Sequence, residues 1–161
     1  MIQKFIRYNS WANQKITGFI LSAGESIAEK ELQSSFPTIL KTLLHIWDAQ
    51  LIWYARLNGE SLNSFPSKNF NGSLSEACTG LLSSSNDFVA RAETFSNDAN
   101  AQIQYKALDG KSYINSTEEV IMHCMNHGTY HRGQIITMLR QAGFTDVGST
   151  DFIRFCRENN L

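Results

Sequence analysis

Apolar residues recur at helical spacing in the long stretches of this chain. From about Ile2 to Ser22, Phe5, Trp11, Ile16, Phe19 and Ile20 share a face and predict a first helix. Leu40, Leu43, Leu44, Trp47, Leu51 and Tyr54 form a second stripe. Ser35-Phe36-Pro37 is expected to open that helix, because proline near a helix start loses no needed hydrogen bond. Asn58-Gly59 closes it, with glycine free to turn left-handed. Gly59 to Gly72 is polar and reads as a loop. Ser73-Leu74-Ser75-Glu76 has the capping-box pattern and predicts a third helix to about Phe95. Ser116-Thr117-Glu118-Glu119 repeats the pattern and opens a long helix to about Ala142, which Gly143 stops. Between these two helices the period changes to two. Gln102 to Leu108 alternates, with Ile103, Tyr105 and Ala107 on one side, and Asp109-Gly110 leads into Lys111 to Ile114, which predicts a hairpin with a two-residue turn. Thr150 to Asn159 predicts a short last helix, with Phe152, Ile153 and Phe155 packing back. The expected fold is all-α: a four-helix bundle with a small β-hairpin before the last long helix and a short C-terminal helix.

Composition narrows the class. The 161 residues fit one domain, 1–161, with its own core. A hydrophobic content of 42% with 18% charged residues suits a globular protein. The net charge of −1 supplies no drive toward nucleic acid or acidic lipid. The apolar runs fall short of the roughly 20 residues needed to span a bilayer, and the N-terminal MIQKFIRYNSWANQKI lacks the apolar core of a signal peptide. Cys78, Cys124 and Cys156 form no CxxC pair and are expected to be small buried hydrophobes in a reducing, cytoplasmic setting.

The chemistry is concentrated in the last long helix. His123, His127 and His131, three of the four histidines, are spaced four apart there, with His45 the remaining one. Residues four apart are about 6 Å apart along a helix and rotated by about 40°, so two adjacent imidazoles can close on one metal ion. His123 and His131 are about 12 Å apart along the axis, so the three cannot share an ion. One pair must be chosen and a ligand must come from elsewhere. Surface histidines at this spacing also arise by chance, and His45 alone could equally be a partly buried imidazole bonded to a carbonyl. No H-E-x-x-H, nucleophile motif or phosphate-binding glycine loop is present.

The string His127-Gly128-Thr129-Tyr130-His131-Arg132-Gly133-Gln134 resembles the signature of the DinB/YfiT-like superfamily of small helical metalloproteins. Its DinB is the damage-inducible four-helix protein, not the DNA polymerase of that name. Tyr8-Asn9-Ser10-Trp11-Ala12-Asn13, His45-Ile46-Trp47-Asp48 with Trp53 and Arg56-Leu57, and Thr150-Asp151-Phe152-Ile153 resemble other parts of the family, so the likeness covers nearly the whole chain. The resemblance implies one divalent ion held by His45, His127 and His131, with a position left for water or substrate. All-imidazole ligation does not select among Zn, Ni, Cu and Fe; zinc or nickel is the expected identity. His123 is then either an outer donor, a base facing substrate, or a packed histidine. Asp48 either orients a ligand imidazole or is a solvated helix residue. Arg132 is expected to anchor a neighbouring helix or the chain end, and Gly133 to permit close helix packing. Trp11, Trp47 and Trp53 are expected in the core or at a dimer contact.

By that resemblance the chain is a metal-dependent enzyme acting on a small electrophile, with S-transferase-type chemistry in which a low-molecular-weight thiol attacks. The alternatives are a non-catalytic metal-binding stress-response protein and a metal-dependent hydrolase. The resemblance also implies a homodimer, and neither nucleic acid nor membrane is an expected partner.

Overall fold

Side-chain caps set where the long helices begin. A computed structural model describes residues 1–62, 64–95 and 100–160. Its elements, in order, are α1 (Ile2–Ala23), α2 (Glu25–Ala28), α3 (Ile39–Leu57), α4 (Pro66–Asn69), α5 (Leu74–Glu93), β1 (Gln102–Lys106), β2 (Ser112–Ser116), α6 (Thr117–Gln141) and α7 (Phe152–Glu158). Ser73 and Glu76 at the start of α5, and Ser116 and Glu119 at the start of α6, each exchange side-chain-to-backbone bonds as a complete capping box. Each box satisfies donors that the first turn would otherwise leave unpaired. The end of the third predicted helix, at Phe95, falls two residues past the observed end of α5.

The four long helices form the predicted bundle. α3 packs against α5 and α6, and α1 packs against the same two. The core is stratified. One apolar cluster gathers Ile16, Leu43, Ile46, Leu81, Ile135 and Met138. The other gathers Ile6, Leu57, Phe88, Val120, Ile121 and Met125. Along every long helix a polar segment lies between the two: Asn9 and Asn13 on α1, Gln50 on α3, Ser84 and Ser85 on α5, and Arg132 on α6, all buried. Gln50 accepts from Asn9 and Asn13, each at 3.0 Å, and donates to Ser84 at 2.8 Å. Arg132 donates to Asn9 Oδ1 at 2.6 Å, Asn13 Oδ1 at 2.9 Å and Thr129 Oγ1 at 3.0 Å. It therefore anchors α1, in keeping with the expectation that it holds a neighbouring helix.

Several local expectations need correction. α3 starts one residue beyond Thr38, whose hydroxyl accepts from Lys41 N, so Ser35-Phe36-Pro37 stays outside the helix. The hairpin turn is longer than two residues. Ala107 N donates to Lys111 O and Gly110 N to Ala107 O, which makes Leu108-Asp109-Gly110 a three-residue loop. Gly110 there has φ 82°, the left-handed value that this loop type requires of its last residue. The strands pair antiparallel from Gln102↔Ser116 to Lys106↔Ser112. The short helix α2 falls between the first two predicted helices, where no element was assigned, and α4 falls in the expected loop. On α7, Phe155 is buried against Tyr8 and Ala12, whereas Ile153 faces solvent. Gly133 is exposed with open space beside it, so it is not a packing contact. The close approach is at Gly80 instead, where a methyl group would overlap the Trp47 indole.

Candidate metal centre

The seam between α3 and α6 brings three histidines together. His45, from α3, meets His127 and His131, one turn apart on α6. One ring nitrogen from each lies within 4.8 Å of the others. Among the described residues this is where metal-capable side chains converge. His45 Nε2 and His127 Nε2 are 3.0 Å apart. Two imidazole nitrogens sharing a tetrahedral zinc ion at 2.0–2.1 Å would stand about 3.3 Å apart. The pair is therefore already near ligating distance.

His131 is oriented from behind. Its Nδ1 lies 2.7 Å from Gln134 Oε1. A carboxamide oxygen only accepts, so Nδ1 carries the proton and Nε2 is left bare. Gln134 in turn donates from Nε2 to Ser35 Oγ at 2.7 Å. Phe36 lies 4.4 Å, ring to ring, from His45 and 5.8 Å from His131. The displaced opening of α3 makes both contacts possible, because Ser35 and Phe36 remain in the loop that crosses the site. Ser35 and Phe36 were read only as a helix opening, and Gln134 only as the end of the signature string; none was assigned to the site. The signals for Gln134 were its place in that string and its position three after His131, on nearly the same helix face.

The surroundings keep the imidazoles neutral. Burial lowers the pKa of His127 to about 3, with the neighbouring His131, His45 and His123 adding to the effect. His45 is lowered by burial and then by His131, against a smaller opposing pull from Asp48. His131 is lowered by burial, against its bond to Gln134. Neutral imidazole is the form that binds metal. The same shifts predict an acid-sensitive fold. In the unfolded chain these histidines protonate near pH 6.5, while in the folded chain they resist protonation, so stability is fully present above about 6.5 and is lost as pH falls toward 3. Because the cluster is partly open to solvent, the loss expected for metal-free protein is about 1–2 kcal/mol. Urea unfolding at pH 7 and pH 5 measures it; equal stability at the two values contradicts the prediction.

The remaining candidates are placed differently. His123 lies one turn before His127, with ring centroids 6.1 Å apart, and packs against Trp53 at 4.7 Å. It stands outside the three-nitrogen group and on the wall of a cavity of about 270 Å³ that it shares with His45, His127, Trp53 and Arg56. Asp48 is neither solvated nor bonded to an imidazole: it is buried and accepts from Ser67 N at 3.1 Å, which fastens the first turn of α4. Trp53 belongs to this cavity wall, while Trp11 packs on Phe155 and Trp47 on Phe70. Cys78 and Cys124 are buried, and burial raises their thiols to about 11 and about 12, which makes them poor nucleophiles. A larger cavity, about 660 Å³, lies between α1, α5 and α7, but it is lined by no histidine, and its Arg7 and Glu93 pair with each other at 2.8 Å. No helix among the described residues is long and apolar enough to cross a membrane.

Comparison with known proteins agrees with this architecture. The model of the DinB family matches residues 1–159. Protein DinB of Bacillus subtilis (strain 168) is 28% identical over 155 residues, covering 92% of this chain and 90% of that protein. The crystal structure of a DinB-like protein from Bacillus cereus ATCC 10987 superposes with a TM-score of 0.69 over 90% of this chain and 95% of the other. At 17% identity, that likeness speaks for the fold.

Proposed function

Because the chain belongs to the DinB family, we propose that it is a metal-dependent enzyme: His45, His127 and His131 hold one divalent ion, zinc or nickel, and a low-molecular-weight thiol attacks a small electrophile beside it. The observation that carries the reading is the convergence of three imidazole nitrogens within 4.8 Å, with His45 and His127 also on the wall of a cavity. Three protein ligands are the number that catalytic sites use when a position stays open. When bound, such an ion lowers the pKa of a coordinated thiol or water and so supplies a nucleophile at neutral pH.

The protein's own part is positioning and proton handling. Gln134, steadied by Ser35, fixes the tautomer and the ring angle of His131. Phe36 shields one side of His45 from water. His123 is the proton acceptor of the cavity. It faces the same space as His45 and His127, and burial followed by the nearby Arg56 lowers its pKa, which keeps it neutral and able to take the proton from an arriving thiol.

Metal analysis of protein purified without a nickel column, followed by a screen of thiols against electrophilic acceptors, tests the proposal. Bound metal with thiol-dependent turnover supports it. Ester or amide hydrolysis without added thiol would replace it with a hydrolase, and bound metal without turnover would replace it with a binding protein.

A further inference from the structure

Arg56 is a nearly buried cation that only aromatic rings hold among the described residues. Only 9% of it is exposed, and among the described residues its guanidinium makes no hydrogen bond and no ion pair. Three other arginines are spoken for: Arg132 by Asn9 and Asn13, Arg7 by Glu93, Arg154 by Glu158. Arg56 instead rests on two aromatic rings, 4.3 Å from the centroid of Trp53 and 4.4 Å from that of Tyr105. None of its nitrogens is sealed off inside the protein, and the residue lines the cavity that reaches His45 and His127. Withdrawing a cation from water is costly unless an opposite charge meets it. The rings orient the head and offset part of that cost, but they leave its hydrogen-bond donors free.

Resting on the metal reading above, we propose that Arg56 anchors the substrate: the cavity takes a small elongated molecule whose carboxylate sits on Arg56 while its reacting end lies at His45 and His127. The two ends differ in charge as this requires. Arg56 is the unpaired cation of the cavity, whereas the carboxylate at the histidine end, Asp48, is engaged with Ser67 N. A single guanidinium matches a singly charged planar carboxylate, which it can grip with two parallel bonds. Ile52 and Phe65 supply an apolar wall for the part between. The span is also defined. His45 and Arg56 lie on one face of α3, and because the Arg56 side chain reaches back a turn onto Trp53, its head is roughly 10–12 Å from His45 along the helix. A chain of about six carbons bridges that gap.

Calorimetric titration of the zinc-loaded protein with 6-mercaptohexanoate and with 6-mercaptohexanol reads the anchor directly. The carboxylate should bind about tenfold or more tightly than the alcohol, the worth of a charged hydrogen-bonded contact. Arg56→Gln should bring the two to equal affinity with the zinc content unchanged, and Arg56→Lys should retain part of the preference. Equal binding of the two probes to the unmodified protein, or a preference that survives Arg56→Gln, overturns the anchor. Hexanoate and hexanol titrated into metal-free protein separate this inference from the one beneath it. Hexanoate preference that depends on Arg56 supports the anchor even if the protein takes up no zinc, an outcome that would sink the metal reading alone.

Discussion

Arg132→Met is expected to lower the free energy of unfolding by about 2–4 kcal/mol. Arg132 is buried on α6 with no carboxylate in ion-pair range among the described residues, and its head is held by Asn9, Asn13 and Thr129. Methionine would fill much of the volume but would strand the two amide oxygens of α1 in the core. Each stranded group costs about 1–3 kcal/mol. Relief from burying a charge offsets part of this, so the net loss is smaller than the sum. In a domain whose whole stability is about 5–15 kcal/mol the change is large. Urea unfolding of the two proteins measures it. The neighbours are coupled through one network, so Asn13→Ala added to Arg132→Met should cost less than its effect alone. A loss below about 0.5 kcal/mol, the usual range for substitutions away from special contacts, would show that the polar layer does not tie the helices together.

The second large effect is on metal affinity. His45→Ala, His127→Ala and His131→Ala should each weaken zinc binding by more than about 100-fold, since loss of an outer hydrogen bond alone costs about 10–100-fold. Gln134→Ala should fall within that smaller range, because it removes the partner of His131 Nδ1 and leaves the three nitrogens in place. His123→Ala should leave affinity essentially unchanged, because that ring lies outside the converging group. Stability gives an independent readout. Zinc at about 100 times its dissociation constant should stabilise the unsubstituted protein by about 2.7 kcal/mol, and the three ligand variants should lose that gain. If His123→Ala abolishes binding while His131→Ala does not, the wrong pair on α6 has been assigned.

What could be read from the sequence was what local chemistry decides. The capping boxes at Ser73 and Ser116 lie within one turn of the bonds they make, so α5 and α6 began where expected. The spacing of His127 and His131 follows from the helix itself. The strand burial alternates at Ile103, Tyr105 and Ala107 as the pattern implied, although the turn beyond them took one more residue. His45 was different. It lies 82 residues from His127, and family resemblance, not spacing, joined them before the geometry did. Contacts with no local signature were missed. Gln134 reaches Ser35 across 99 residues. Asn9 and Asn13 entered only as part of the family likeness, and Gln50, Ser84 and Ser85 not at all, yet they form the polar layer within the bundle. Gln50 is buried because it satisfies its bonds in four other side chains. Arg56 likewise had no local signature. Its role depends on Tyr105, which arrives from the hairpin.

In the proposed site, three imidazoles hold one ion and leave a position open. Zinc-edge X-ray absorption on protein loaded with one equivalent of zinc tests it in a single measurement. Without thiol, the account predicts a shell of nitrogen and oxygen at about 2.0–2.1 Å, containing three imidazoles and no sulfur; on addition of 6-mercaptohexanol, one sulfur should enter at about 2.3 Å. Sulfur in the thiol-free spectrum, or a shell that ignores added thiol, would contradict it.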